Sequence, residues 1–338
     1  MINLALIGTG RISEWVLQGA LQEGRMNVVA VCSRKHETAE AFIRKNLDLQ
    51  KVKIYTSVSE LVKDSGIDAV YIGTPNETHC AYAIECLNAG KHVICEKPLA
   101  VSAAEGRMMA EAAESSGCVL MEAMISTLNP NFRAAVSKFE DIAPIRHYSS
   151  HFCQYSSKFE ALKNGVVASS FRPGAAGALR DIGIYALYPL VSVFGRPESV
   201  RSAVRLFLTP EGYTDVSGSL FLKYKEMDAV LTYSKVYDSF LPTEISGDGG
   251  NIILDAVHIA RRVELVPHGV PSSGQGPKSA RILVSEGLEH NHYYYEFKEF
   301  ADVIEGSGRE SEINNLQTSI EVLEIMDEVL QSVADQTI

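Results

Sequence analysis

Val93-Ile94-Cys95-Glu96-Lys97-Pro98 is an apolar run that stops on a carboxylate, an ammonium and a proline. Pro98 has no N–H to give a sheet ladder and drives the residue before it out of helical geometry. A strand must therefore end here with Lys97 at its carboxyl edge, and in an open parallel sheet that edge is where ligands bind. A lysine fixed there can serve as a cation beside a reacting centre, since its pKa responds to burial and neighbours. The same residues also describe a solvated turn lysine next to Glu96. A second pair lies in Gly177-Ala178-Leu179-Arg180-Asp181-Ile182-Gly183-Ile184-Tyr185, which reads as a loop entering a helix that continues through Leu187, Leu190 and Phe194. Asp181 and Tyr185 are four apart, so they share a helix face and set a carboxylate beside a phenol. Asp181 suits a helix cap or first-turn acid equally well, and Tyr185 a half-buried core aromatic such as Tyr188.

Near the start, a strand runs into Gly8-Thr9-Gly10-Arg11-Ile12-Ser13. The two glycines permit a tight turn and close backbone approach to a pyrophosphate seated on the following helix N-terminus. Ser13 takes the third small position in place of Gly or Ala. Without a ligand this is a plain strand-to-helix turn; opening a βαβ unit, it marks a dinucleotide site. The second strand ends in Cys32-Ser33-Arg34-Lys35, where an NAD site would carry Asp or Glu for the ribose 2′-OH. A hydroxyl and two cations suit a 2′-phosphate instead, so NADP(H) is expected over NAD(H). The alternative, two cations solvating a helix start, opposes the helix dipole. After the fourth strand comes Gly73-Thr74-Pro75-Asn76-Glu77-Thr78-His79. There Asn76 can cap the next helix and line the cofactor, and His79 reads as a polar helix residue packed near the dinucleotide.

The elements that must position these residues alternate cleanly over the first 123 residues. Strands are expected at 3–7, 27–32, 53–55, 68–72, 92–95 and 119–122, with helices at 12–23, 37–45, 58–63, 78–88 and 103–115. Apolar strands joined by helix-length segments mean a doubly wound parallel sheet covered on both faces. Residues 124–338 change character. Strands are expected at 145–153, 200–208, 216–224, 228–233, 243–246 and 251–255, with helices at 179–194, 294–304 and 313–333. Short turns at Lys225-Glu226 and Asp248-Gly249-Gly250 make this a largely antiparallel sheet in an α+β domain, and His268 to Lys278 a Pro-, Gly- and Ser-rich loop. Two domains, 1–123 and 124–338, accord with 338 residues and 46% apolar content.

G-x-G at the first turn, T-P-N-x-x-H after the fourth strand and E-K-P after the fifth resemble the Gfo/Idh/MocA oxidoreductases, over essentially the whole chain. The resemblance implies a Rossmann domain followed by a substrate domain on an open sheet, and a Lys97–Pro98 bond that is cis with Lys97 beside nicotinamide and substrate. It also implies a D-x-G-x-H or D-x-G-x-Y element whose last residue donates or accepts a proton. Tyr185 in that place is similar to the tyrosine-bearing members, dimeric dihydrodiol dehydrogenase and glucose-fructose oxidoreductase. Moving a hydride at a carbinol carbon requires a proton to move on its oxygen. A phenol of pKa about 10 needs a neighbouring cation to serve near neutrality, and Lys97 is the expected source. Glu122-Ala123-Met124 is followed by Ile125-Ser126-Thr127, where dihydrodiol-dehydrogenase-like chains carry an aromatic and, two places later, an arginine. That departure argues against an aromatic diol, and a small polyol, sugar or hydroxy-carbonyl compound fits no worse.

The expected activity is therefore NADP(H)-dependent oxidation of a secondary alcohol or reduction of its carbonyl. Tyr185 is its acid/base, Lys97 tunes it and binds the substrate oxygen, and Asp181 orients a hydroxyl or the lysine. Gly8, Gly10, Arg11, Ile12, Ser33, Arg34, Lys35, Thr74, Asn76, His79, Glu96 and Lys97 are the expected cofactor residues. Non-enzymatic NADP sensing and glycosidase chemistry by transient oxidation are the competing readings; a sensor has no need of the paired Lys97 and Tyr185. A net charge of −11 without a long basic run argues against nucleic acid and anionic membranes. Six scattered cysteines without a C-x-x-C pair, no room for a signal peptide before Ile2 and no bilayer-length apolar run point to a reducing cytoplasm. His147 with His151, and His290 with His292, lack metal-ligand spacing, so no metal is expected. A homodimer or higher oligomer through the second sheet is expected from the resemblance alone.

Overall fold

Runs of Val, Ile, Leu and Ala too short for helices and too apolar for a half-wet sheet make the first layer. β1 (Ile2–Ile7), β2 (Met26–Cys32), β3 (Lys53–Tyr55), β4 (Ala69–Ile72), β5 (His92–Glu96) and β6 (Leu120–Ala123) form one sheet in the order β3-β2-β1-β4-β5-β6. All its pairings are parallel. Leu4, Leu6, Val70, Ile72, Val93 and Cys95 are wholly buried, as strands covered on both faces require. The strand order reverses between β1 and β4, which is where such sheets open a crevice at their carboxyl ends. This computed structural model describes residues 1–48, 50–268, 280–306 and 308–334.

The chain divides into two units, Met1–Ile125 with His290–Leu323 and Ser126–Glu289 with Glu324–Ile338. Helix Tyr294–Glu305, which lies in 124–338 by sequence order, thus belongs with the first sheet. Its seat is Gly19 on helix Arg11–Glu23, where a Cβ would stand 2.5 Å from the Cβ of Tyr293 and 2.8 Å from the amide of Tyr294. Sequence order cannot show such a return, because the packing face is ordinary amphipathic helix.

The second unit is built on β7 (Ile145–Cys153), β8 (Ser199–Thr209), β9 (Gly212–Lys223), β10 (Asp228–Ser234), β11 (Thr243–Gly247), β12 (Gly250–Leu254), β13 (Arg262–Pro267) and β14 (Ile282–Glu286). Their order is β14-β13-β12-β11-β7-β10-β9-β8, antiparallel except where β7 meets β10. β13 and β14 were not expected. Their apolar residues are interrupted by charges, and Arg262 with Glu286 and Arg281 with Glu264 pair only once the strands are side by side. Beyond His268, the expected loop to Lys278 lies outside the described residues. All six cysteines are buried thiols. No described helix is long and apolar enough to cross a membrane.

The expected helix from Leu179 is a π turn over Leu179–Gly183 that then feeds an α-helix, Ile184–Phe194. Gly183 allows this turn to sit on the Tyr233 ring, since a Cβ there would be 3.1 Å from Tyr233 Cγ.

Gly19→Ala improves helix propensity by about 1 kcal/mol yet should lower stability by roughly 1–3 kcal/mol through overpacking. Urea unfolding of the variant checks this; an unchanged or raised midpoint would show that the helices part without cost.

Candidate active site

In the first unit the chemistry gathers where β1, β4 and β5 end. Gly8 has φ +111°, and a Cβ on it would lie 2.3 Å from the Gly73 carbonyl oxygen, so both the conformation and the space demand glycine. Gly73 is pinned in turn, since its Cβ would stand 2.7 Å from the Tyr71 hydroxyl. Gly10 is different. A Cβ there would meet nothing within 4 Å, which leaves open approach to the backbone at the start of helix Arg11–Glu23. No side chain caps that helix at Gly10, so its N-terminus suits an anion. Ser13 is fully buried and serves close packing, while Arg11 and Ile12 are exposed, the Arg11 guanidinium lying 5.9 Å from the Trp15 ring centre.

The Gly8 amide donates to the Cys32 carbonyl at 3.0 Å, which brings the glycine turn beside the end of β2. Ser33 follows, half-buried, with Arg34 and Lys35 exposed at the start of helix His36–Asn46. Open backbone at Gly10 and an uncapped helix start fit a dinucleotide, and two exposed cations lie one strand away.

After β4, Asn76 lies inside a 3-10 turn, Asn76–Thr78, rather than at a cap; the cap positions Pro75 and Thr78 make no side-chain cap bond. Thr74 and Thr78 share a hydroxyl–hydroxyl bond of 2.7 Å. His79 is fully buried, its Nε2 2.9 Å from the Thr74 carbonyl oxygen and its Nδ1 3.0 Å from that of Pro98. Burial pushes the imidazole below its ordinary pKa despite those carbonyls. His79 therefore spans the loops after β4 and β5.

The Lys97–Pro98 bond is cis. Glu96 sets the turn: its Oε1 accepts the Tyr71 hydroxyl at 3.0 Å and its Oε2 the Lys97 amide at 3.2 Å. Two further carboxyls surround it. Glu122, on β6, accepts the Leu99 amide at 2.9 Å; burial foremost raises its pKa to about 7, Glu96 adds to that, and Lys97 opposes it. Glu296 is 1% exposed, and neither of its oxygens has a hydrogen-bond partner among the described residues. Burial, then the Glu96 charge, holds it well above the usual carboxylate range.

In the second unit, strands grip the π turn at two points. Asp215 on β9 accepts the Leu179 amide at 2.6 Å, its carboxyl raised by burial to about 6. Lys235, just past β10, donates to Asp181 Oδ2 at 2.6 Å and to the Ser170 carbonyl at 2.6 Å, with its ammonium 4.0 Å from the Phe171 ring centre. Asp181 is thus neither a cap nor a lone carboxylate. Tyr185 is half-buried in an aromatic group: Phe152 meets it edge-on at 5.5 Å, and His258 stacks on Phe152 at 4.1 Å. Tyr188 is wholly buried.

Tyr71, Glu296, Asp215, Lys235, Phe152 and His258 were absent from the sequence reading. Two had a signal. Glu296 sits on the apolar face of its helix with Phe297 and Phe300, and Lys235 ends an apolar strand as Lys97 does. His258 lies in a loop and had none. Among the described residues no group of three or more His, Cys, Asp or Glu could hold a metal ion.

Residues 2–124 match the Gfo/Idh/MocA model, an oxidoreductase family with an NAD-binding Rossmann fold. Over 334 residues the chain is 35% identical to scyllo-inositol 2-dehydrogenase (NADP(+)) IolU of Bacillus subtilis, covering 97% of this chain and 96% of that one. It is 36% identical over 208 residues to trans-1,2-dihydrobenzene-1,2-diol dehydrogenase of Sus scrofa, covering 60% and 58%. Aldose-aldose oxidoreductase from Caulobacter crescentus shares the fold, with TM-score 0.81 at 17% identity over 99% of this chain and 98% of that one. The chain belongs to the Gfo/Idh/MocA family. It is an NAD(P)-dependent dehydrogenase or reductase of that family.

Because Glu122 has a raised native pKa, the stability it contributes is fully present below its ordinary value of 4.5 and is lost as pH rises to about 7. Glu122→Gln should remove most of a pH-dependent fall worth about 3 kcal/mol. Unfolding followed from pH 4 to 8 reads this directly; parallel curves for variant and wild type would refute it.

Proposed function

We propose that this protein is an NADP(H)-dependent oxidoreductase that interconverts a secondary alcohol and its carbonyl in a small polyol, sugar or diol. The observation that carries the reading is the place of Lys97. It stands at the carboxyl end of β5, in the sheet whose β1 ends in the glycine turn, and its amide and neighbouring Glu96 are anchored through buried Tyr71. A merely solvated turn lysine needs no such anchor. Preference for NADP(H) draws on exposed Arg34 and Lys35 where an acid would select NAD, and agrees with the cofactor in the name of the Bacillus subtilis relative. The names of both relatives, an inositol and a diol dehydrogenase, support a polyhydroxylated substrate.

When bound, the nicotinamide supplies the hydride acceptor or donor. The residues proposed to hold it are the turn from Gly8 through Ile12, Ser33 to Lys35, Thr74, Asn76 and Glu96, with His79 acting from beneath by joining two of these loops. Tyr185 takes the proton from the substrate hydroxyl in oxidation and returns it in reduction. Lys97 binds the substrate oxygen and stabilises negative charge there. Asp181 presents a carboxylate oxygen to a substrate hydroxyl. We place the protein in the cytoplasm, as a homo-oligomer that covers part of the second sheet, where Tyr213 and Phe221 are half exposed.

Tyr185→Phe and Lys97→Met should each lower turnover on a polyol and sugar panel by about 10²–10⁴-fold, with NADPH binding kept. Near-wild-type rates in both would eliminate the assigned roles. Arg34→Ala with Lys35→Ala should weaken NADPH about 10–100-fold and leave NADH nearly unchanged. Equal effects on the two nucleotides, measured by fluorescence titration, would count against 2′-phosphate recognition.

A further inference from the structure

We propose that His258 is a substrate-binding residue: its imidazole hydrogen-bonds a second hydroxyl of the substrate, beside the one on which Tyr185 acts. The assignment rests on Tyr185 being the acid/base, and it names a group that recognises the hydroxyl-rich substrate class.

Three rings form one group in the second unit. Phe152 and His258 stack with centres 4.1 Å apart and 9° between their planes. Tyr185 stands edge-on to both, 5.5 Å from Phe152 and 6.4 Å from His258. Each of the three is half-buried, so none is sealed inside the core. Stacking engages the faces of the imidazole, whereas its two nitrogens lie in the ring plane and donate or accept there. A ring with two such positions can hold a protein partner and a ligand at once.

The loop beneath His258 is fastened far more firmly than a connection requires. Residues 255–261 join β12 to the antiparallel β13 without helix or strand of their own. Two to five residues suffice for such a join. Here Ser126 Oγ donates to the His258 carbonyl at 3.2 Å, and the Asn129 and Asn131 amides donate to the Ala260 carbonyl at 3.1 and 2.9 Å. All three side chains are buried. Asp255 closes the base of the loop by accepting the Arg261 and Arg262 amides at 2.8 and 3.1 Å. Val257 and Ala260 are buried on either side of His258. Fully partnered polar groups of this kind fix one conformation, and the conformation fixed here sets the imidazole against Phe152 and near Tyr185.

A pocket for a small hydroxylated molecule needs apolar surface and a few polar groups at set places. Phe152 offers the first, and Tyr185 and His258 offer the second. Ring centres 6.4 Å apart let one small polyol meet both polar groups. A polar ring at this place, rather than another purely apolar one, gives a second hydroxyl the partner that it would otherwise lose on leaving water.

His258→Phe keeps the stack and removes both nitrogens. On the panel of polyols and sugars, scyllo-inositol and glucose among them, it should raise KM about tenfold, with little change in kcat or in NADPH binding. His258→Asn and His258→Gln set an amide near one or the other ring nitrogen, and at least one should recover most of the loss. Circular dichroism establishes that each variant is folded. Should His258→Phe not accumulate, His258→Ala takes its place, raising KM where an amide variant restores it. A folded His258→Phe or His258→Ala with unchanged KM on every substrate, or with only kcat lowered, would show a ring that merely props Tyr185 or the loop and overturn the assignment. A wild type inert on the whole panel, or undiminished turnover by Tyr185→Phe, would instead remove the reading beneath it, so the two failures are told apart.

Discussion

The hydrogen bond from the buried Tyr71 hydroxyl to Glu96 organises the edge of the parallel sheet. It joins the interior of β4 to the last residue of β5 and so sets where Lys97 begins. The same ring rises against Gly73 closely enough to exclude a Cβ, and the Gly73 carbonyl excludes one at Gly8. A single buried phenol thus lies beneath both the turn that fits a pyrophosphate and the turn that carries the lysine. His79 adds a second tie by spanning the Thr74 and Pro98 carbonyls.

Around Lys97 the interior is rich in carboxyl groups. Glu96, Glu122 and Glu296 come from two strands and a helix, and burying three anions together would be prohibitive. Their shifts run toward protonation for Glu122 and Glu296, whereas Glu96 keeps two donors. Raising Glu122 and Glu296 lessens the repulsion among the three, and Glu96 accepts the two hydrogen bonds that set the turn. Such an arrangement gains in definition of the turn what it forfeits in stability compared with an apolar core.

The second unit solves the matching problem with opposite charges. A π turn lacks the regular ladder of an α-helix, and here Asp215 and Lys235 supply partners to it from adjacent strands. Both units therefore hold these turns through buried polar residues on β-strands or immediately after them.

Much of this was legible in one dimension. Apolar runs of strand length, separated by helical segments, specify the doubly wound sheet, because periodicity is a local property of sequence. The glycine turn, the cations after β2 and the stop at Lys97–Pro98 were legible for the same reason: backbone freedom and proline sterics act on immediate neighbours. Partnership between distant residues was not. Glu96 with Tyr71, Asp181 with Lys235 and Tyr185 with Phe152 and His258 are separated by 25, 54, 33 and 73 positions, and the charged strands β13 and β14, at one end of the sheet, read as strands only when paired. The sequence by itself determined the layers and the edge at which the glycine turn and Lys97 lie. Tertiary packing alone decided which carboxyls keep their protons, where helix Tyr294–Glu305 returns, and that a π turn replaces an α turn at Asp181, since burial and charge pairing depend on neighbours in space.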